Sequence, residues 1–248
     1  PILLAQHYRS HGEIIGLCNQ AFYEGQLRVL TDEDYSSWPA GLPVGLQWID
    51  CKGESRKHSA GSRFNNAEIM KVIKVLRDCV AHLDGRSLNI GVVTPFSRQR
   101  TLLQSRIADE FDQIVIDQHQ LKVQTAHQYQ GSERDIMIFS LVVSGRGNGG
   151  SDRWFNFYPQ ILNVALSRAK RLLYIIGDKE YCLSRPGVLG TVSSVYDSIK
   201  AVTCVAEQWV AGNLDSEEET ILYEKLLQRL ANRRDIRVVP KRRVGPYS

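Results

Sequence analysis

Asn163-Val164-Ala165-Leu166-Ser167-Arg168-Ala169-Lys170, with Leu172-Leu173-Tyr174-Ile175-Ile176-Gly177-Asp178 directly behind it, decides how this chain is read. A small, apolar helical turn ends on one arginine, and a strand-like apolar run follows at once. The arginine therefore falls at a helix end, beside the edge of a buried sheet. A guanidinium does not deprotonate and is expensive to bury unpaired, so it calls for an anionic partner. Two partners fit this stretch: a nucleotide phosphate, or a local carboxylate that would make Arg168 a helix cap.

Working outward, Gln124 to Asp135 (Gln-Thr-Ala-His-Gln-Tyr-Gln-Gly-Ser-Glu-Arg-Asp) is a polar loop that feeds Ile136 to Val143, an apolar run suited to a strand buried on both faces. Ile90-Gly91-Val92-Val93-Thr94 is a second apolar strand, broken at Pro95, and Phe96-Ser97-Arg98-Gln99 opens a helix. The remaining pattern alternates. Val44 to Asp50 reads as a strand, Cys51 to Asn65 as a polar loop, and Asn66 to Leu83 as a helix with one buried face, its apolar residues being Ile69, Met70, Val72, Ile73, Val75, Leu76 and Val80. A helix over about Arg98 to Phe111, a strand near Lys122–Thr125 and a helix near Gln160–Lys170 complete it. Strands alternating with helices predict a mostly parallel α/β sheet flanked by helices, with ligands gathering at the carboxyl ends of the strands.

Near the start lies His7-Tyr8-Arg9-Ser10-His11. With Thr94-Pro95-Phe96-Ser97-Arg98-Gln99, Gln130-Gly131-Ser132-Glu133-Arg134-Asp135 and Asn163 to Ala169, it forms four ordered blocks over roughly residues 1–185. In these blocks the chain resembles the second RecA-like domain of superfamily 1 helicases, in the branch that contains the nonsense-mediated-decay helicase and many bacterial helicase-nuclease fusions. The family patterns are Gln-Tyr-Arg, Thr-Pro-Tyr-x-x-Gln, Gln-Gly-x-Glu-x-Asp and Asn-Val-Ala-x-Thr-Arg-Ala, in the same order. His7 stands where the family often has glutamine, Phe96 replaces tyrosine and Ser167 replaces threonine. The last two keep ring shape and hydroxyl, so only the role at His7 is put in doubt.

The resemblance implies a RecA-like P-loop NTPase-type domain. It implies that Arg9 and Arg168 act as arginine fingers on ATP, that Tyr8, Gly131 and Glu133 contact the nucleotide, and that Thr94, Pro95, Gln99, Thr125, His127 and Gln128 touch single-stranded DNA or RNA. No G-x-x-x-x-G-K-[ST] segment occurs, so no loop of this chain cradles phosphates. No apolar strand ends in Asp-Glu to hold magnesium. In the family those parts belong to the first RecA-like domain of the same polypeptide, which would bind ATP and magnesium and form this chain's partner. The competing class is a RecA-like scaffold without catalysis, which docks partners or nucleic acid.

Composition is that of an ordinary globular chain: 248 residues, 43% hydrophobic and 23% charged, with a net charge of +4. That mild basicity suits an anionic partner. No apolar run reaches bilayer length, so no membrane span is expected. Five scattered cysteines without a C-x-x-C pair, and no secretory signal, predict free thiols in a reducing, cytoplasmic setting. His7, His11, His58 and His82 share no spacing and read as structural or exposed. Ser144 to Asp152, rich in glycine, reads as a mobile loop, and the aromatic run Trp154-Phe155-Asn156-Phe157 after it either stacks on bases or packs beneath that loop.

The helicase pattern stops after about Pro186, and Val192 to Val210 reads as a helix packing back on the domain. The expected organisation is a motor domain over 1–210, a linker over 211–215 and a charged helix with a basic strand over 216–248. This helical and extended appendage resembles the opening of restriction-endonuclease-like nuclease domains, with Glu219 at a metal-ligand position that also fits a capping box with Ser216. A start at Pro1 without methionine suggests a piece of a longer chain.

Overall fold

The computed structural model describes residues 6–7, 9–29, 36–59, 61–129, 132–147 and 151–213. Its centre is one sheet of five strands: β1 (Gly45–Asp50), β2 (Ile90–Thr94), β3 (Lys122–Thr125), β4 (Arg134–Ser140) and β5 (Ala169–Gly177). They lie side by side in the order β1-β5-β4-β2-β3, and every pairing is parallel. This is the parallel α/β sheet that the sequence implies. The chain steps outward from β2 to β3 in one direction and from β4 to β5 in the other, so β2 and β4 flank the switch point of the sheet.

The apolar runs of β4 and β5 are continuous because both faces are covered. Period-two alternation sends Met137, Phe139, Leu173 and Ile175 to one side, where they pack with Ile14, Leu17, Leu162 and Leu189. Ile136, Ile138, Leu172 and Ile176 go to the other, against Ile73, Leu76 and Leu103. The first layer is built by α1 (Gly12–Phe22), the second by α2 (Asn66–His82) and α3 (Ser97–Glu110). The helices α4 (Ser151–Phe157), α5 (Pro159–Leu166) and α6 (Val188–Asn213) join the first layer. Among the described residues no helix is long and apolar enough to cross a membrane.

Most elements expected from the sequence stand within a few residues of their expected bounds, and three readings are corrected. The polar stretch 51–65 is not all loop: Glu54–Lys57 pairs with Arg63–Phe64 and, in parallel, with Arg146–Gly147. That pairing also removes Arg146 and Gly147 from the glycine-rich loop, and residues 148–150 lie outside the described residues. A glycine-rich segment offers no side chains to read, so its backbone pairing with a distant strand leaves no local signal. The last helix continues to Asn213, into the stretch 211–215 expected as a linker. The tail 216–248, with Ser216 and Glu219, lies outside the described residues.

The chain enters β1 through Gly45, which has φ +74°. A Cβ there would lie 2.5 Å from Glu13 Oε2 and 2.8 Å from the His11 ring. His11 caps α1 by accepting from the Glu13 amide, as a structural histidine does. Glu13 in turn accepts from Leu46 N at 2.9 Å, Lys200 Nζ at 2.7 Å and Thr203 Oγ1 at 2.8 Å, tying α1, β1 and α6 together. Burial raises the pKa of this carboxyl, but Lys200 and the hydrogen bonds outweigh that and hold it below its ordinary value. Gly45→Ala forces both a positive φ and that clash, and is expected to lower unfolding stability by about 1–3 kcal/mol. Chemical denaturation checks this; a loss below about 0.5 kcal/mol would show that the junction relaxes freely.

Candidate functional site

The sequence-predicted residues separate to the two ends of the sheet. At the amino ends of β4 and β5, Arg9 Nη1 donates to Glu133 Oε1 at 2.5 Å, and Lys170 Nζ stands 4.0 Å from the other oxygen. Arg168 sits one residue before β5, and its carbonyl accepts from Arg134 N at 3.0 Å, which places it beside the same strand end. Arg9 is thus brought to the strand end of Glu133 and Arg168 from more than a hundred residues away in sequence. Tyr8 and Gly131 lie outside the described residues. Arg134, buried beneath this cluster, donates to the Glu133 carbonyl at 2.9 Å and lies over the Tyr129 ring.

The two readings of Arg168 can be weighed on its partners. Its Nε donates to the Val164 carbonyl at 3.3 Å, which also accepts from Ser167 Oγ at 3.4 Å, and its Nη2 donates to Ser167 Oγ at 3.2 Å, so it does touch a carbonyl in the last turn of α5. Among the described residues no carboxylate pairs with it. The charge is held in place by neutral acceptors alone, which leaves it available to an anion. Arg9 differs: it is mostly exposed and is paired with Glu133.

Seven residues of β4, at about 3.3 Å each, carry the chain roughly 20 Å to the carboxyl edge. There the strand-contact candidates collect around the switch point. Thr94 ends β2, fully buried, with an Oγ1 that has no hydrogen-bond partner. Pro95 and Thr125 are half-buried beside it, and Gln128 is exposed. Gln128 Oε1 accepts from Thr125 N, Thr125 Oγ1 and Arg100 Nη1 at 3.1, 3.2 and 3.1 Å, so a phosphate contact would fall to its amide nitrogen. His127 lies in the short 3-10 helix Ala126–Tyr129.

Gln99 lies deeper than Pro95, Thr125 and Gln128 at this edge. It is wholly buried; its Oε1 accepts from Asn65 N at 2.9 Å, and its Nε2 donates to Ser140 Oγ at 2.9 Å and the Asn65 carbonyl at 3.4 Å. Its amide is thus satisfied at both ends beneath the surface, joining the start of α3 to the cap of α2 and the end of β4. The expectation that ligand residues gather at carboxyl ends is likewise only half met. After β3 the chain runs back through the 3-10 helix, and Glu133 emerges at the amino end of β4.

The sequence reading missed Glu68, the centre of this network. Glu68 Oε2 accepts from Ser140 Oγ at 2.7 Å and Val142 N at 2.8 Å, Oε1 accepts from Asn65 Nδ2 at 3.1 Å, and Val143 N donates as well. Val142 is held at φ +58°, a conformation that β-branched residues rarely adopt. Asn65-Asn66-Ala67-Glu68 has the spacing of a capping box, which was the available signal. Asn65 does cap α2, accepting from Ala67 N at 3.1 Å. The carboxylate, instead of returning to the Asn65 amide, crosses to the end of β4. Burial pushes the Glu68 carboxyl up to about 8, against the pull of its donors.

That shift has a sign. The unfolded chain releases this proton near the ordinary value of 4.5, whereas the folded chain keeps it until about 8. Glu68's contribution to stability is therefore complete below the lower value and is lost as pH rises through the upper one. Glu68→Gln, which carries no titrating proton, should flatten the fall in unfolding free energy between pH 5 and 8 by up to about 1.4 kcal/mol per pH unit. Denaturant titrations across that range check it, and identical slopes for the two proteins would refute it.

A family model described as an AAA domain matches residues 1–180. Among curated relatives, the "Putative helicase mov-10-B.2" of Danio rerio is 28% identical over 247 residues, covering 87% of this chain and 24% of that protein. The Regulator of nonsense transcripts 1 homolog of Neurospora crassa is 30% identical over 187 residues, 72% of this chain and 17% of that protein. The RNA helicase Mov10l1 of Homo sapiens is 28% identical over 199 residues, 74% of this chain and 16% of that protein. The chain thus spans about a quarter or less of the relatives it matches.

Proposed function

The chain belongs to the AAA domain family whose model spans residues 1–180, and from that premise we propose that it works as the second motor domain of an ATP-dependent superfamily 1 helicase. In this reading ATP and magnesium are held by a first RecA-like domain, and this chain supplies positive charge to the γ-phosphate when the cleft between the domains closes. The observation that carries it is the cluster at the amino ends of β4 and β5. Arg168 is fixed by neutral acceptors and has no carboxylate partner among the described residues.

Roles follow from the geometry. Arg168 is preorganised and half-exposed, so it meets an incoming phosphate with little reorganisation. Arg9 is parked on Glu133 by a largely exposed pair of the kind worth about 0–1 kcal/mol, and it can turn to an anion at small loss. Glu133, relieved of that arginine, becomes free for a nucleotide hydroxyl. Closure engages all three together, which makes hydrolysis depend on domain motion. At the opposite edge Thr125 and Gln128, with Pro95 beside them, offer neutral polar contacts to a sugar-phosphate backbone and no sequence readout.

A scaffold without catalysis would have no use for an arginine held unpaired by a carboxylate at that strand end. The 248 residues lack a phosphate loop, so alone they should show no ATP turnover and only weak, strongly salt-dependent binding to single strands. In the intact polypeptide, Arg168→Ala should remove a large part of the roughly 10³–10⁵-fold that an arginine finger contributes, while strand affinity stays within severalfold. Arg168→Lys should not restore it, because an ammonium does not reproduce the guanidinium fork. Steady-state ATPase assays with single strands present check both, and a near-normal rate in Arg168→Ala would return this residue to the role of helix cap.

A further inference from the structure

The helix α4 carries aromatic residues in two directions. Phe155 points inward, fully buried, with its ring 6.4 Å from that of Phe139 in an edge-to-face arrangement. Trp154 and Tyr158, one helical turn apart, lie with ring centroids 5.3 Å from each other. Trp154 also lies 5.5 Å from Phe96, the residue that follows Thr94-Pro95. Phe157 is 78% exposed and Tyr158 45%. The sequence left open whether this run stacks on bases or packs beneath a loop; Phe155 is buried and Trp154 packs partly against the same core, whereas Phe157 and the following Tyr158 are exposed.

That surface is held rigidly. Asp152 pairs with Arg185 at 2.9 Å at the start of the helix, and Asn156 donates to the Pro186 carbonyl and accepts from Val188 N, each at 3.1 Å. Single exposed apolar side chains are ordinary on any surface. Two adjacent exposed rings, backed by two half-buried ones on an anchored helix, are not. Arg153, next to Trp154 in the same helix, is exposed, which adds a positive charge to this stretch. Through Phe96 the patch is continuous with Pro95 at the carboxyl edge of β2.

The geometry points to a base-stacking platform formed by Trp154, Phe157 and Tyr158, which takes the nucleobases of a single strand whose backbone crosses Pro95, Thr125 and Gln128. This inference rests on the reading of that edge as the single-strand path, and extends it from the phosphates to the bases. Stacking suits a motor domain, because every base has a π face and the contact is indifferent to sequence. Rings fixed in advance lose little rotamer freedom when a base settles on them.

The test uses the 248-residue chain and two fluorescent 12-mers of equal charge, one of mixed sequence and one of abasic sugar-phosphate. The chain should bind the base-bearing strand at least about 5-fold more tightly, as a single stacked base contributes roughly 5- to 100-fold. Phe157→Ala with Tyr158→Ala should bind both strands as the parent binds the abasic one, with an unchanged salt dependence. Phe157→Tyr with Tyr158→Phe, which keeps the rings, should retain the preference. If the alanine variant keeps its preference while strands still bind, the platform is wrong and the patch is a protein-docking face. A chain that binds neither strand would overturn the single-strand path and the platform together.

Discussion

The buried carboxyl of Glu68 is the constraint on which the carboxyl edge of this domain depends. It takes donors from the end of β4, from the strained turn at Val142 and Val143, and from the cap of α2. Through Asn65 and Ser140 it is joined to Gln99 at the start of α3. Three loops that would otherwise move independently are therefore locked at the switch point, beneath the surface on which Thr125 and Gln128 face outward. A neutral apolar residue there would leave buried amides and a hydroxyl unpaired, each at a cost of about 1–3 kcal/mol.

The sheet relates this edge to the arginine cluster. Strands buried on both faces, roughly 20 Å long, form a stiff member with the arginine cluster at one end and the rim of Thr125, Gln128 and Arg100 at the other. In the proposed reading, a displacement imposed at the amino ends by an anion would be carried to the rim as movement of the whole body. The arrangement suits a motor, in which one rigid half moves against another. Arg9 is exposed and Arg168 has no carboxylate partner among the described residues, while the Glu68 network ties the other end together.

The fold was legible because its strands are buried on both faces. Ile90 to Thr94, Ile136 to Ser140 and Leu172 to Ile176 are continuous apolar runs with turn residues between them, and the helix at Asn66 declares its face by its period. The cluster was legible through the ordered segments around Arg9, Glu133 and Arg168. What escaped depends on contacts distant in sequence. Gln99 reads as a polar side chain at a helix start, and only folding shows both ends of its amide occupied. Glu68 reads as a capping partner, although its acceptors serve residues more than seventy positions away. Arg146 and Gly147 read as loop because a glycine backbone pairs without any side-chain signature.

The account's central claim is that the Arg168 cluster completes an ATP site held by another domain. The most direct test measures ATP turnover, with single strands present, for the intact polypeptide, for the part upstream of this chain, and for that part mixed with these 248 residues. Turnover should be near background for each part alone, rise measurably on mixing, and be full only when both are joined. Full turnover by the upstream part alone would contradict the claim.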